Sequence, residues 1–373
     1  MTRGAAAVVV GGGMVGAACA DALARAGARV TVVEERCVGA GATAAGMGHL
    51  VVMDDSPAQL ALTSRSLELW AELASELPVR AEYRRCGTAW VASDDADAAA
   101  VTAKQAAYQA VGRRASAVDG PELGRTEPAL RPGLAGGLLV PDDAVVYAPV
   151  AAQFLLERAG VTVVRDAVVA VDPGKVRLAS GGTLPADFTV LAAGMGALAL
   201  LPDLPLRARK GHLLITERGA PQVRHQLVEL GYLRSAHGSE EDSVAFNVQP
   251  RPTGQLLIGS SRQFGQTGPD VEWPLLQRML RRAAAFLPAL TKASALRVWT
   301  GQRCATPDHL PLIGPLPDRP DLLLAVGHEG LGITTALGTA ELLLHHLTGR
   351  ATPLAAHDFT TARLTGPREH AHA

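Results

Sequence analysis

Residues 5–35 read AAAVVVGGGMVGAACADALARAGARVTVVEE, and no other stretch narrows the possible folds as far. A short run of small and β-branched apolar residues ends in three consecutive glycines. An alanine-rich stretch of helical composition follows, Gly27 stops it, and ARVTVVEE is extended again. That order is a βαβ unit, with two parallel strands joined by a helix that covers the sheet. Within it Gly11 permits a tight turn, Gly13 lets the backbone approach a pyrophosphate, and Gly16 lets helix and strand pack closely. The helix start offers N–H groups and the positive end of its dipole to phosphate. Glu34, 23 positions beyond Gly11, ends the second strand, where a carboxylate accepts hydrogen bonds from a ribose diol and repels a 2′-phosphate. The expected ligand is a dinucleotide.

An NAD-binding sheet needs one such turn. This chain has further glycine turns at GAGATAAGMG (39–48), AAGMG (192–196) and GHEGLG (327–332), so the ligand is expected to be extended and to thread the whole fold. At 373 residues the chain is long for one core and suits two domains, possible interleaving included. A hydrophobic fraction of 48% against 19% charged residues supplies a packed interior. The net charge is −1 and no Lys/Arg run exceeds two, which excludes the electrostatic footprint needed for nucleic acid or an anionic bilayer. Cys19, Cys37, Cys86 and Cys304 show neither zinc nor iron–sulfur spacing. They read as small buried hydrophobes in a reduced, cytoplasmic setting. The uncharged stretch 4–20 is centred on a glycine turn and runs into Asp21 and Arg25, so it is read as strand and helix, not as a leader or a transmembrane segment.

Further along, helices are expected over about 56–76, 94–118, 149–158 and 275–287, and an alternating strand from Tyr83 to Val91. FTVLAAG (188–194) and DLLLAVG (321–327) read as buried strands returning to the first sheet. Residues 206–262 read as short β runs forming an antiparallel sheet of their own. ITTALGTAELLLHHLTG is a C-terminal helix, in which the adjacent His345 and His346 face different sides and make a poor metal pair; no metal site is read.

Taken in order, VVVGGGMVGAACADALARAGARVTVVEE, GAGATAAGMGH, VLAAG, WTGQRCATPDHLPLIGP and LLLAVGHEGLGITTALGTAELL resemble the D-amino-acid-oxidase-like FAD-dependent oxidoreductases, the group of glycine oxidase, sarcosine oxidase and the D-amino-acid dehydrogenases. The resemblance covers nearly all the chain. The run AAGMGHLVVMDDSPAQLALTSRSLELW is most similar to flavin subunits of D-hydroxyproline dehydrogenases and to related hydrogen cyanide synthase subunits. The resemblance implies an α/β fold: a discontinuous Rossmann-like FAD-binding domain of the GR2 type over 1–80, 140–205 and 305–373. An α+β substrate domain on an antiparallel sheet would be interleaved with it, over 81–139 and 206–304.

It also implies roles. Gly11, Gly13, Met14, Val15 and Gly16 would hold the pyrophosphate, and Glu34 with Glu35 the adenosine ribose. Ala42, Thr43, Gly46, Met47 and Gly48 match the loop running from pyrophosphate to flavin ring. Gly194 matches the glycine of VLAAG, and Val168 or Val169 would meet adenine through the backbone. Gly327, His328, Gly330, Gly332, Ile333 and Thr334 match the turn whose N–H groups meet the flavin pyrimidine edge. Covalent flavin attachment in relatives uses a cysteine whose equivalent falls near Gly301, so FAD is expected to be non-covalent.

On the substrate side Arg303 matches the family's carboxylate-binding arginine, and a guanidinium fork suits that task. With the carboxylate held and the amine neutral, hydride can leave Cα without a strong protein base. His49 could tune amine or flavin from an ordinary pKa of about 6.5, or be structural. Tyr232 and Asn247 fall where relatives place side chains over the substrate. Aromatic residues are 4% of the chain, a poor provision for an aromatic cage, which favours a small or cyclic D-amino acid such as D-proline or hydroxy-D-proline over sarcosine. Electrons would pass to a partner subunit, carrying a second flavin or an iron–sulfur cluster, or to quinone. The alternatives are an oxygen-using oxidase of the glycine or sarcosine oxidase type, an electron-relay flavin subunit, and an NAD-dependent dehydrogenase. In the loop GQRCATPDHLPLIGP, Cys304 reads as a bystander, and Asp308 and His309 as turn residues.

Overall fold

The computed structural model describes residues 1–231 and 242–364 and divides into two compact units, each made of chain segments far apart in sequence. The first comprises Met1–Ala40, Ala152–Arg207 and Cys304–Ala373; the second comprises Gly41–Ala151 and Ala208–Arg303.

The first unit is built on a six-stranded sheet, in the order Leu312–Leu316, Arg319–Val326, Phe188–Leu191, Ala6–Val10, Arg29–Val33, Thr162–Val164. Four neighbouring pairs are parallel, with Val8 opposite Thr189 and Thr31, and only the Leu312–Leu316 edge is antiparallel. The strands are short continuous apolar runs because both faces are covered. Val8, Val10, Val33, Leu191, Leu324 and Val326 share one core, and each such side chain contributes about 1.5–3 kcal/mol on burial. Helix Met14–Arg25, which ends before Gly27 at φ 95°, packs on helix Ala336–Thr348. Cys37 is exposed, contrary to the expectation that all four cysteines are buried; it lies in the turn after the second strand, outside the sheet.

The second unit is built on an eight-stranded sheet, in the order Ala295–Ala305, Arg207–Thr216, Leu256–Phe264, Ser243–Pro250, Gln226–Glu229, Thr88–Ala92, Gly136–Val140, Ser116–Asp119. It is not wholly antiparallel, since Gln226–Glu229 runs parallel to Thr88–Ala92. The stretch from Tyr83 yields a strand only at Thr88–Ala92, and all five residues are buried instead of alternating, because the strand is central and covered on both sides. Helix Trp273–Phe286 covers one face, where Phe246, Val248, Ile258 and Leu214 meet Leu276, Met279 and Phe286, with the Phe246 and Phe286 rings stacked at 4.3 Å. Side chains alternate along a strand, so Asn247, Gln249 and Leu257 project to the other face.

Residues 41–80 and 140–151, which the resemblance groups with the FAD-binding domain, cluster with this second unit. The ties are local: His49–Leu50 pairs with Ala144–Val145, and Tyr108 Oη donates to the Val52 carbonyl at 2.8 Å. Helix Pro57–Leu73 starts where Ser56 Oγ accepts from Gln59 N–H, with proline at its first turn. Helix Asp95–Ala110 is capped in the same way by Asp94, but the expected helix does not run to 118, since Ser116–Asp119 is a strand.

Candidate active site

In the first unit the residues of the glycine turn are fixed by steric need. A Cβ on Gly16 would lie 2.0 Å from the Gly11 carbonyl oxygen, and one on Gly11, at φ 106°, would lie 2.6 Å from that of Ala192. Gly11 N–H donates to Val33 at 2.8 Å, locking the turn onto the second strand. Gly13 is the N-cap of helix Met14–Arg25, and no side chain caps that helix start, so the turn presents backbone N–H groups to an anion. Glu34 Oε2 accepts from Gly12 N–H at 2.8 Å and Oε1 from Arg36 N–H at 3.0 Å, which places its carboxylate on the turn. Glu35 instead points into solvent beside Arg36 at 3.8 Å.

The turn after the strand Arg319–Val326 is brought to the same place from the far end of the chain. A Cβ on Gly332 would lie 3.7 Å from Val15 Cγ2 and 3.3 Å from His328 Cβ. His328 is buried, with Nε2 at 2.9 Å from Thr339 Oγ1, and desolvation pushes it down to about 3, so it is neutral. Gly327 sits at φ 82°, where a Cβ would strike Thr306. Glu329, at φ 49°, donates its N–H to the Cys304 carbonyl, and its carboxylate meets His309 Nδ1 at 3.0 Å; His309 is itself at φ 62°. Gly330 is exposed, Ile333 half-buried and Thr334 buried at the entry to helix Ala336–Thr348. Gly194, at φ 55°, follows the strand Phe188–Leu191 in a short 3-10 turn, beside the Ala192 carbonyl that crowds Gly11. Val168 opens a three-stranded antiparallel meander and packs on this unit's core, whereas Val169 is 53% exposed. A cradle that excludes Cβ atoms, an uncapped helix start and a carboxylate beside it fit a dinucleotide, and the second glycine turn alongside extends that surface.

In the second unit Ala42–Ala45 is a single helical turn in which Thr43 is buried, and Gly46, Met47 and Gly48 follow it. Gly48 is at φ 92°, with Val146 N–H donating to its carbonyl at 2.8 Å. Three strand glycines face this segment and its neighbours. A Cβ on Gly301 would lie 2.6 Å from Ala45 Cβ, one on Gly259 3.1 Å from Met47 Sδ, and one on Gly211 2.6–2.8 Å from the Arg303 guanidinium. Trp299 Nε1 donates to the Ala45 carbonyl at 3.3 Å.

Arg303 therefore lies flat against Gly211, with Nη1 donating to the Ser261 carbonyl at 3.0 Å. It belongs to the strand Ala295–Ala305 and not to the loop read from GQRCATPDH, as does Cys304, because pairing with Arg207–Thr216 carries the strand on to Ala305. Asn247, opposite Gly259 in the register, is buried, and its Oδ1 has no partner among the described residues. His49 is partly exposed, but its Nε2 is buried and desolvation pushes the ring down to about 4, so it is neutral at neutral pH. Tyr232 lies outside the described residues.

Sequence reasoning passed over Gly211, Ser261 and Gly259. The available signal was glycine inside a strand, which marks close approach of another group. Cys304 is buried in the first unit's core, and burial pushes its thiol up to about 11. Among the described residues no three His, Cys, Asp or Glu side chains converge as metal ligands would, and no helix is long and apolar enough to cross a membrane.

The protein is similar in sequence to hydrogen cyanide synthase subunit HcnC of Pseudomonas aeruginosa, 27% identical over 95% of both chains. It is also similar to glycine oxidase of Geobacillus kaustophilus, 27% identical over 87% of this chain and 88% of that one. The crystal structure of the Geobacillus glycine oxidase superposes with a TM-score of 0.85 at 25% identity, covering 96% and 98% of the two chains. That of L-proline dehydrogenase from P. horikoshii superposes at 0.86 and 20% identity over 98% of each, a likeness of fold. The family described as FAD dependent oxidoreductase matches residues 6–345. With the glycine cradle and Glu34 in place and the family matched over most of its length, the chain belongs to the FAD-dependent oxidoreductases, and FAD is its cofactor.

Proposed function

We propose that the protein oxidises an amino acid at its Cα–N bond, with D-proline and hydroxy-D-proline as the leading substrates among small and cyclic D-amino acids, and that the electrons leave through a partner subunit or quinone. The observation that carries this reading is the placement of Arg303 across Gly211, on the sheet face that also bears Asn247 and against which Met47 packs at Gly259. A guanidinium fixed there by the Ser261 carbonyl takes a carboxylate through parallel N–H donors, which sets both the distance and the tilt of Cα. Asn247 adds a buried amide whose oxygen can accept from the substrate amine. His49 is neutral at neutral pH and so brings no charge of its own to the amine. When bound, FAD would supply the acceptor for the hydride that leaves Cα. In the first unit, Gly11, Gly13, Met14, Val15, Gly16 and Glu34 would hold its pyrophosphate and ribose, and the turn 327–334 its pyrimidine edge. Ala42, Thr43, Gly46, Met47 and Gly48 of the second unit would line its ring. The glycine oxidase relative supports oxidation of an amino acid and is equally compatible with an oxygen-using oxidase.

The test is a flavin-reduction screen over D-proline, hydroxy-D-proline, glycine, sarcosine and D-alanine, run anaerobically and then with oxygen. Bleaching by the cyclic D-amino acids, with slow reoxidation by oxygen and fast reoxidation by a quinone, is expected. A flavin that none of them bleaches sinks the enzyme reading, and rapid reoxidation by oxygen replaces the dehydrogenase with an oxidase.

A further inference from the structure

The sheet face that carries Arg303 and Asn247 continues, within the second unit, into a cavity of about 240 Å³. Met47, which touches the Gly259 position, is on its wall. So are Gln249, two residues beyond Asn247, and Leu257, two residues before Gly259. Tyr147 and Trp299 flank it, two of the chain's few aromatic residues.

Its polar groups are not all committed. Arg251 is: it meets Glu82 through two hydrogen bonds at 3.0 and 2.6 Å and lies over the Tyr147 ring at 5.1 Å. Arg297 stacks beside Trp299 at 5.5 Å and meets no carboxylate among the described residues. Gln249 is 4% exposed, and its side-chain amide oxygen has no partner among the described residues. A polar group buried in that state lowers stability, and a ligand that pairs with it recovers the loss. With Arg251 and Glu82 cancelling, the lining holds one uncompensated cation and one terminal amide, which can turn either its oxygen or its N–H to the cavity. From Gly211, where Arg303 lies, to Ile215 on the cavity wall is four strand residues, roughly 13 Å. A molecule the size of glycine does not span that distance.

We propose that this cavity is a distal subsite for a second carboxylate, so that the preferred substrate is an amino acid bearing, on its nitrogen or side chain, an arm that ends in a carboxylate. Arg297 and Gln249 hold that end while Arg303 holds the reacting one. The proposal rests on the amino-acid reading above and keeps its Cα–N chemistry. Small and cyclic amino acids are then minimal substrates, and contacts remote from the reacting bond add the selectivity.

The holoenzyme is titrated calorimetrically and by anaerobic bleaching with two series. One comprises sarcosine, N-butylglycine and glycines carrying ω-carboxyalkyl groups of two to five carbons on nitrogen; the other comprises D-alanine, D-glutamate and D-2-aminoadipate. The best carboxylate-ended member should bind at least tenfold more tightly than its uncharged counterpart, and Arg297→Ala and Arg297→Gln should bring that ratio within threefold. A ratio near one in the unaltered protein, or one unchanged in both variants, overturns the subsite. If small amino acids bleach the flavin and the arm gains nothing, the subsite fails and the amino-acid reading stands. If nothing bleaches but the Arg297-dependent binding persists, the redox reading fails and the subsite stands.

Discussion

Replacing Gly211 with alanine tests the placement of Arg303 without touching the arginine. The new methyl would fall 2.6 Å from Nη1, 2.7 Å from Nη2 and 2.8 Å from Cζ, too close for a carbon against any of them. Gly211 is in a strand and has no positive φ, so alanine fits the backbone, and what must yield is the tip of a flexible side chain. The fold should therefore survive with a shift in Tm of a few degrees at most, while the guanidinium leaves its seat and the Ser261 carbonyl. A charge-assisted hydrogen bond contributes about 1.5–3 kcal/mol, and 1.4 kcal/mol is tenfold in an equilibrium constant. Loss of the seat should raise the amino acid concentration for half bleaching by roughly ten- to a hundred-fold. FAD affinity, read by fluorescence titration, should stay within about twofold, because the three atoms nearest the new methyl all belong to Arg303 and none to a residue expected to hold FAD. Arg303→Ala should reproduce the loss, and the double variant should be no worse than Arg303→Ala alone, since both changes remove the same interaction. Half bleaching at an unchanged concentration in Gly211→Ala, or additive losses in the double variant, would refute the clamp.

Gly16→Ala should give a protein that purifies without flavin colour, because its Cβ would sit 2.0 Å from the Gly11 carbonyl and no side chain is there to move; normal 450 nm absorbance would count against the cradle. Acid precipitation should release all the flavin and leave a chain of unmodified mass, since Cys304 is buried as a neutral thiol; flavin retained on the pellet would mean a covalent bond. Asp143 is buried and its carboxyl is raised to about 7, chiefly by desolvation, so the folded state keeps a proton that the unfolded chain gives up near pH 4. This group's contribution to stability is therefore complete at low pH and declines as pH rises toward 7. Asp143→Asn, a constant offset aside, should gain Tm on the unaltered protein between pH 5 and pH 8; parallel curves would show that Asp143 is ionised throughout.

How much of this was legible in the sequence divides along one physical line. The glycine turn at 11–16, its helix and Glu34 could be read because their partners are close in the chain and the spacing itself carries the geometry. The turn at 327–332 was legible as a motif, but its meeting with Val15 was not, because that contact spans more than three hundred residues. Arg303 was found by resemblance, yet was taken for a loop residue, since TGQRCATPD has turn-forming composition and only pairing with Arg207–Thr216 makes it a strand. Gly211, Gln249 and Arg297 acquire their meaning from sheet register, which no local pattern fixes. The resemblance groups 41–80 with the FAD-binding domain, whereas the pairing of His49–Leu50 with Ala144–Val145 and the Tyr108 hydrogen bond, both distant in sequence, cluster it with the second unit.

The strand order of the six-stranded sheet also sets a timetable for synthesis. Ala6–Val10 is made some 180 residues before its neighbour Phe188–Leu191, and the strand beside that one, Arg319–Val326, comes later still. At about 5–20 residues per second, the first apolar strand waits roughly 15 to 60 s for the sheet to be filled. The second unit also consists of two separated segments, so neither unit can mature alone as the chain emerges. A nascent chain of this kind carries a Val-rich strand with one edge unpaired while those residues are added, and its yield in a cell is governed by whatever shields that edge until residue 326 has been made.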